Sequence, residues 1–233
     1  MTRTQVSGSE MSRQGREVLR STRDQSGAYG LVLISILLSV LAAVALGRSP
    51  WGRWFVAVLQ GVTLLLTLNI SGARARARLT ILALVIVALT VAAIAVAMGN
   101  SETGRGIDAV ISGLLVVGAP VAIVRGARSH IEITAQTVFA ALSVYLLIGL
   151  FFAFLFAVMG AIDQPFFASG VNGSLPDYVY FSYVTLTTVG FGDLIARGDV
   201  GRMASVLEAI TGQLYLVTVV ALLVGGLISQ RKS

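Results

Sequence analysis

Thr185-Leu186-Thr187-Thr188-Val189-Gly190-Phe191-Gly192-Asp193 is the stretch whose reading decides this 233-residue chain. Two glycines alternate with residues that carry side chains. Glycine takes positive φ at little steric cost, so this alternation permits a backbone whose successive carbonyls turn to one side while the side chains turn to the other. A lone Gly-x-Gly reads as an ordinary turn, but the surroundings argue otherwise. An apolar stretch at 177–188 leads into the segment, and longer apolar runs flank it at 134–160 and 203–228. A stretch that short is read as re-entrant. Its irregular continuation is tolerable at membrane depth only where it lines a watery cavity.

Composition sets the solvent. The chain is 56% hydrophobic and 12% charged, far from the balance of a soluble domain. Six apolar runs suit a hydrocarbon layer of about 30 Å: 28–47, 54–70, 79–98, 107–124, 134–160 and 203–228. The expected fold is an all-α membrane protein with six transmembrane helices and a re-entrant helix between the fifth and sixth. Its expected divisions are a basic N-terminal segment (1–27), a four-helix membrane domain (28–130) and a second membrane unit (131–233). The first 27 residues are polar and the first apolar run exceeds a signal h-region, although Ala43-Val44-Ala45 resembles a cleavage site. There is no cysteine, hence no disulfide or thiolate chemistry. Sixteen arginines against one lysine point to a GC-rich, bacterial source.

The run Thr188-Val189-Gly190-Phe191-Gly192 resembles the selectivity filter of the potassium-channel superfamily, with Phe in place of the commoner Tyr. The resemblance covers residues of roughly 135 to 230. It implies a homotetramer around one axial pore, because each chain supplies one filter strand and a four-carbonyl ring needs four. Carbonyls of Thr188, Val189, Gly190 and Phe191 would then replace the hydration shell of K+, with the Thr188 hydroxyl added to the innermost ring. Asp193 would place negative charge at the outer mouth. No cofactor is implied beyond K+ as the permeant ion, and the chain is not expected to be an enzyme.

Upstream, Pro176 suits a first helical turn, and Ser174-Leu175-Pro176-Asp177 has capping-box spacing. A helix from about Asp177 to Thr187 would direct its C-terminal partial negative charge at a cation below the filter. Tyr180, Phe181 and Tyr183 would form an aromatic cuff around the filter, or serve as plain interface packing. Downstream, Gly212 is either a hinge or a glycine for close helix packing. Counting from it at helical spacing places Gln213, Leu216, Val220 and Val224 on one stripe. That stripe is expected to line the conduction path, with Leu216, Val220 and Val224 forming apolar rings that gate by dewetting. Glu208, acidic within an apolar run, is expected to support the filter through Thr or Tyr hydroxyls, or to snorkel to the interface.

Basic residues orient the chain. With both termini cytoplasmic, twelve of the 17 Lys and Arg lie inside and Arg48, Arg53, Arg105, Arg197 and Arg202 outside, as the positive-inside rule asks. Asp193 then faces outward. The first four runs occupy the place of a voltage sensor, yet between Ile107 and Val124 the only charge is Asp108. Arg74, Arg76 and Arg78 recur every second residue and so spread around a helix. Steep voltage gating is therefore not expected. Gln60 and Asn69 are read as bonds between helices. Only Gln230 to Ser233 follow the sixth run, so no C-terminal nucleotide- or calcium-binding module is expected. Arg13, Arg16, Arg20 and Arg23 would share a helical face, either solvated or touching anionic lipid at about 1 kcal/mol per basic group. Nucleic acid is not an expected partner. Alternatives are a weakly selective monovalent cation channel, since Phe191 lacks a hydroxyl to brace the filter, and a subunit of a potassium transporter.

Overall fold

The computed structural model describes residues 28–70, 75–97, 101–127, 135–163, 165–171 and 173–230. These form seven α-helices: α1 (Ala28–Leu46), α2 (Pro50–Ile70), α3 (Ala75–Ala97), α4 (Glu102–Ala127), α5 (Ala135–Ile162), α6 (Leu175–Leu186) and α7 (Asp199–Gln230). Among the described residues, four helices are long and apolar enough to cross a membrane: α1, α2, α5 and α7. The shorter apolar stretch of α3 is Leu79–Ile94. Arg105, Asp108 and the glycines at 104, 106, 113 and 118 dilute α4. At 23 and 26 residues, α3 and α4 are nonetheless about 35 and 39 Å long.

Of the first four helices, α1 and α4 pack on α5 of the same chain, with α4 lying along α5 and α1 touching both α5 and α6, while α2 lies against α1, α3 and α4. Seven residues separate α4 from α5, and so short a connection favours antiparallel neighbours. Val32, Ile36, Val56, Val116, Leu147, Leu150 and Phe154 fill the shared core. Small residues let the helices approach: a Cβ on Gly118 would lie 2.8 Å from Leu64. Polar groups are mostly tied locally or in pairs. Ser35 hydrogen-bonds Thr63 between α1 and α2, and Thr67 donates to the Leu64 carbonyl.

Two sequence expectations change at this level. Arg53, read as a loop residue, sits in α2, where it is buried and paired with buried Asp108 of α4 at 3.3 Å. Burial of an ion is costly without a partner, and the pair supplies one. Gln60 is buried, but both its amide atoms lack a hydrogen-bond partner, so the structure gives it no bond to a neighbouring helix. The N-terminal arginines, Arg74 and Arg128 lie outside the described residues.

Candidate functional site

The site is assembled by α5, α6 and α7 around residues 187–198. Helix α6 starts where the sequence places a cap. The Asp177 carboxylate accepts from the Ser174 N–H at 2.8 Å and from the Ser174 hydroxyl at 2.5 Å, and Pro176 lies in the first turn. Two hydroxyls anchor α6 to α5. Tyr183 donates to the Leu146 carbonyl at 2.7 Å, and Ser182 lies 2.7 Å from the Gly149 carbonyl. Gly149 makes room for this, since a Cβ there would fall 2.7 Å from the Tyr183 ring.

Where α6 ends, the chain reverses within one turn. The N–H of Thr188 donates to the Thr185 carbonyl at 2.9 Å, and those of Val189 and Gly190 return to the Val184 carbonyl at 3.0 and 3.3 Å. This is a Schellman-type stop with Thr188 in the position that normally holds glycine. Its φ is 58°, the one positive value on a non-glycine residue among those described. A β-branched residue there is an outlier, and such local strain gathers at functional sites. Gly190 (φ 57°) and Gly192 (φ 82°) follow. Positive φ thus recurs at every second residue, 188, 190 and 192, with Val189 and Phe191 between them.

Both ends of this segment are tied down. At its far end, the Phe191 ring stacks on Tyr180 of α6, with centroids 6.4 Å apart and planes 5° apart. The Tyr180 hydroxyl donates to the Asp193 carboxylate at 2.9 Å. At its near end, the Gln213 amide of α7 donates to the Thr188 hydroxyl at 3.4 Å. Directly beneath, Gly212 lets α7 meet the end of α6: a Cβ there would stand 2.7 Å from Leu186 Cδ1 and 2.8 Å from the Leu186 carbonyl oxygen. Helix α7 runs unbroken through Gly212. Glu208, one turn earlier, is fully buried, with its carboxyl 2.5 Å from the Ser182 hydroxyl. It therefore reaches α6 through a serine and is not at the interface.

The remaining sequence-predicted residues divide. Phe181 faces away from the filter-like segment, into a cluster with Phe156, Phe166 and Phe167. Tyr183 likewise faces α5. Val220 and Val224 are half exposed and Leu216 is partly covered. Much of α7 is uncovered within the chain: Val206, Leu207, Ile210, Leu214 and Val217 are all at least half exposed. The sequence reading missed Ser182, an inconspicuous residue whose only signal was its place beside Tyr183. It also missed the support that Phe166 and Phe167 give the segment after Asp193. There the Ala168 N–H donates to the Ile195 carbonyl at 2.8 Å and the Arg197 N–H to that of Phe166 at 2.9 Å. The Phe-Phe repeats were visible, but their partner, residues 194–197, is irregular and carried no pattern.

No curated protein matches the chain. Residues 140–228 match the family described as ion channel, a span that takes in most of α5, all of α6, the tethered segment and nearly all of α7, and that supports an ion-channel function in a membrane.

Proposed function

We propose that this chain is the subunit of a homotetrameric, potassium-selective channel that conducts K+ passively down its electrochemical gradient. The observation that carries the reading is the recurrence of positive φ at Thr188, Gly190 and Gly192. Alternating the sign of φ turns successive carbonyls to the same side, so Thr188, Val189, Gly190 and Phe191 offer a ladder of oxygens. Four copies around an axis close that ladder into rings that exchange for the hydration shell of K+. Helix α6 aims its C-terminal end at the base of the ladder, and its partial negative charge favours a cation there. Gln213, Leu216, Val220 and Val224 line the path below. The uncovered apolar surface of α7 is what neighbouring copies would bury.

Six membrane crossings with both termini cytoplasmic follow from the same reading, as does a front domain of 28–130 beside a pore domain of 131–233. Anionic lipid at Arg13, Arg16, Arg20 and Arg23 belongs to it as well. The test is a bilayer recording under opposing potassium and sodium gradients. A reversal potential near the potassium value is expected, and one midway between the two ions would refute selectivity. Tyr180 supports the selective reading over the weakly selective alternative. The hydroxyl that Phe191 lacks is supplied from α6, where it reaches Asp193 at 2.9 Å.

A further inference from the structure

Gln60 lies at the midpoint of α2, with about 15 Å of helix between it and either end. From there its side chain cannot snorkel to the interface as a charged group near a helix end does. It is 3% exposed, and neither its amide nitrogen nor its amide oxygen meets a protein partner. Buried polar groups are satisfied by protein or by ordered water, and hydrocarbon supplies neither. The side chain lines a cavity of about 10 Å³ where α1, α2, α4 and α5 meet, together with Ser39, Thr63, Val116 and Leu150. Ser39 and Thr63 are buried as well, and their hydroxyl protons are already committed. Ser39 donates to the Ser35 carbonyl at 2.9 Å and Thr63 to the Leu59 carbonyl at 2.8 Å. In the contact between Ser35 and Thr63 it is therefore Ser35 that donates. Each of the two lining hydroxyls keeps a lone pair for a further donor. The cavity thus brings together an amide N–H that lacks an acceptor and two oxygens that can only accept.

We infer that this cavity binds one water molecule, which ties α1 to α2 at the mid-depth of the front helices. The water accepts from the Gln60 Nε2–H and donates to Ser39 Oγ and Thr63 Oγ1. Its three hydrogen bonds are the usual number for a buried water. The volume is about the least that holds a water, which leaves no room for a larger ligand. No charged side chain lines the cavity to balance an ion. Gln60 then links α2 to α1 through a bound molecule and not directly. The site draws on the membrane setting alone and stands whichever ion the chain conducts.

The test uses the full-length protein in phosphatidylcholine bilayers, with isotope-labelled glutamine and valine. Solid-state NMR reads how fast proton magnetisation passes from water to each labelled nitrogen. The backbone amide of Val56, fully buried in the same helix and away from the cavity, is the dry reference. The Gln60 side-chain amide should take up water magnetisation several-fold faster than Val56. Ser39→Ala leaves that amide in place and removes one acceptor of the water, so uptake at Gln60 should fall several-fold. Thermal unfolding gives a second readout whose sign discriminates. Gln60→Met removes the amide at similar volume. Removing a dry, unpaired amide stabilises a protein, whereas removing a hydrated one forfeits a hydrogen bond. The melting temperature should therefore fall by about 2–4 °C, the shift that one net hydrogen bond gives a chain of this size. Uptake at Gln60 no faster than at Val56, uptake unchanged in Ser39→Ala, or a Gln60→Met protein that melts at or above the wild-type temperature overturns the inference. The uptake comparison needs only the wild type and Ser39→Ala, so it decides even if Gln60→Met fails to fold.

Discussion

Replacing Gly212 by Ala tests the joint beneath the proposed filter. The new Cβ would stand 2.7 Å from Leu186 Cδ1 and 2.8 Å from the Leu186 carbonyl oxygen. The side chain can rotate; the carbonyl can move only by displacing Thr187 and Thr188, the base of the proposed filter. Overpacking costs about 1–3 kcal/mol, and a backbone contact belongs at the upper end. Alanine returns about 1 kcal/mol through helix propensity. The net loss is about 2 kcal/mol per subunit, or roughly 4–8 °C in the melting temperature of a chain of this size. Thermal unfolding of the detergent-solubilised assembly measures it, and bilayer recordings should show reduced conductance. Adding Leu186→Ala should recover only part of the loss, because the carbonyl contact persists. Gly212→Ala with unchanged melting and unaltered current would refute the argument.

Other substitutions separate backbone, hydroxyl and charge. Gly190→Ala places its Cβ in open space but at φ 57°. A left-handed residue costs about 1–2 kcal/mol, so selective current should vanish while size-exclusion still shows a tetramer; selective current that survives would contradict the carbonyl ladder. Tyr180→Phe keeps the stack on Phe191 and deletes the bond to Asp193; faster decay of macroscopic current is expected, and identical kinetics would remove Tyr180 from the support of the proposed filter. Glu208→Gln preserves shape and a partner for Ser182, whereas Glu208→Ala empties a fully buried site. Recordings should rank wild type, Gln and Ala in falling conductance, and an Ala variant equal to wild type would exclude filter support. Open probability should change little between about −100 and +100 mV, since each charge moved is worth about 2.3 kcal/mol per 100 mV and Asp108 is held by Arg53. A steep conductance–voltage curve would disprove this.

Local chemistry was legible in the sequence wherever a residue type has few conformational uses. Ser174, Pro176 and Asp177 announced the start of α6, and the glycines at 190 and 192 announced the positive φ found there. Thr188 was not legible in the same way. Its left-handed backbone follows from the stop that ends α6, which no property of threonine foretells. Glu208 could be singled out for its cost in an apolar helix, yet its partner Ser182 lies on another helix and emerges only once α6 and α7 are packed. Arg53 and Asp108 failed for the same reason. Each looked like the ordinary charged end of a span, and only the approach of α2 to α4 makes them a buried pair. Phe181 shows the converse limit. It was grouped with Tyr180 by sequence proximity, although neighbouring residues on a helix point about 100° apart.

The Arg53–Asp108 pair also sets an order of events during synthesis. About 55 residues separate the two, and at about 5–20 residues per second the ribosome needs roughly 3–11 s to make Asp108 after Arg53. Throughout that interval α2 carries a cation whose partner does not yet exist. Arg53 lies in the first turn of α2, so it can wait at headgroup depth with its guanidinium in water. Once α4 has arrived, the two helices can settle together and the charge can sink with its counter-ion. The front of the molecule therefore closes late, after α3 has been made, and a nascent chain halted before residue 108 would hold α2 shallow in the bilayer.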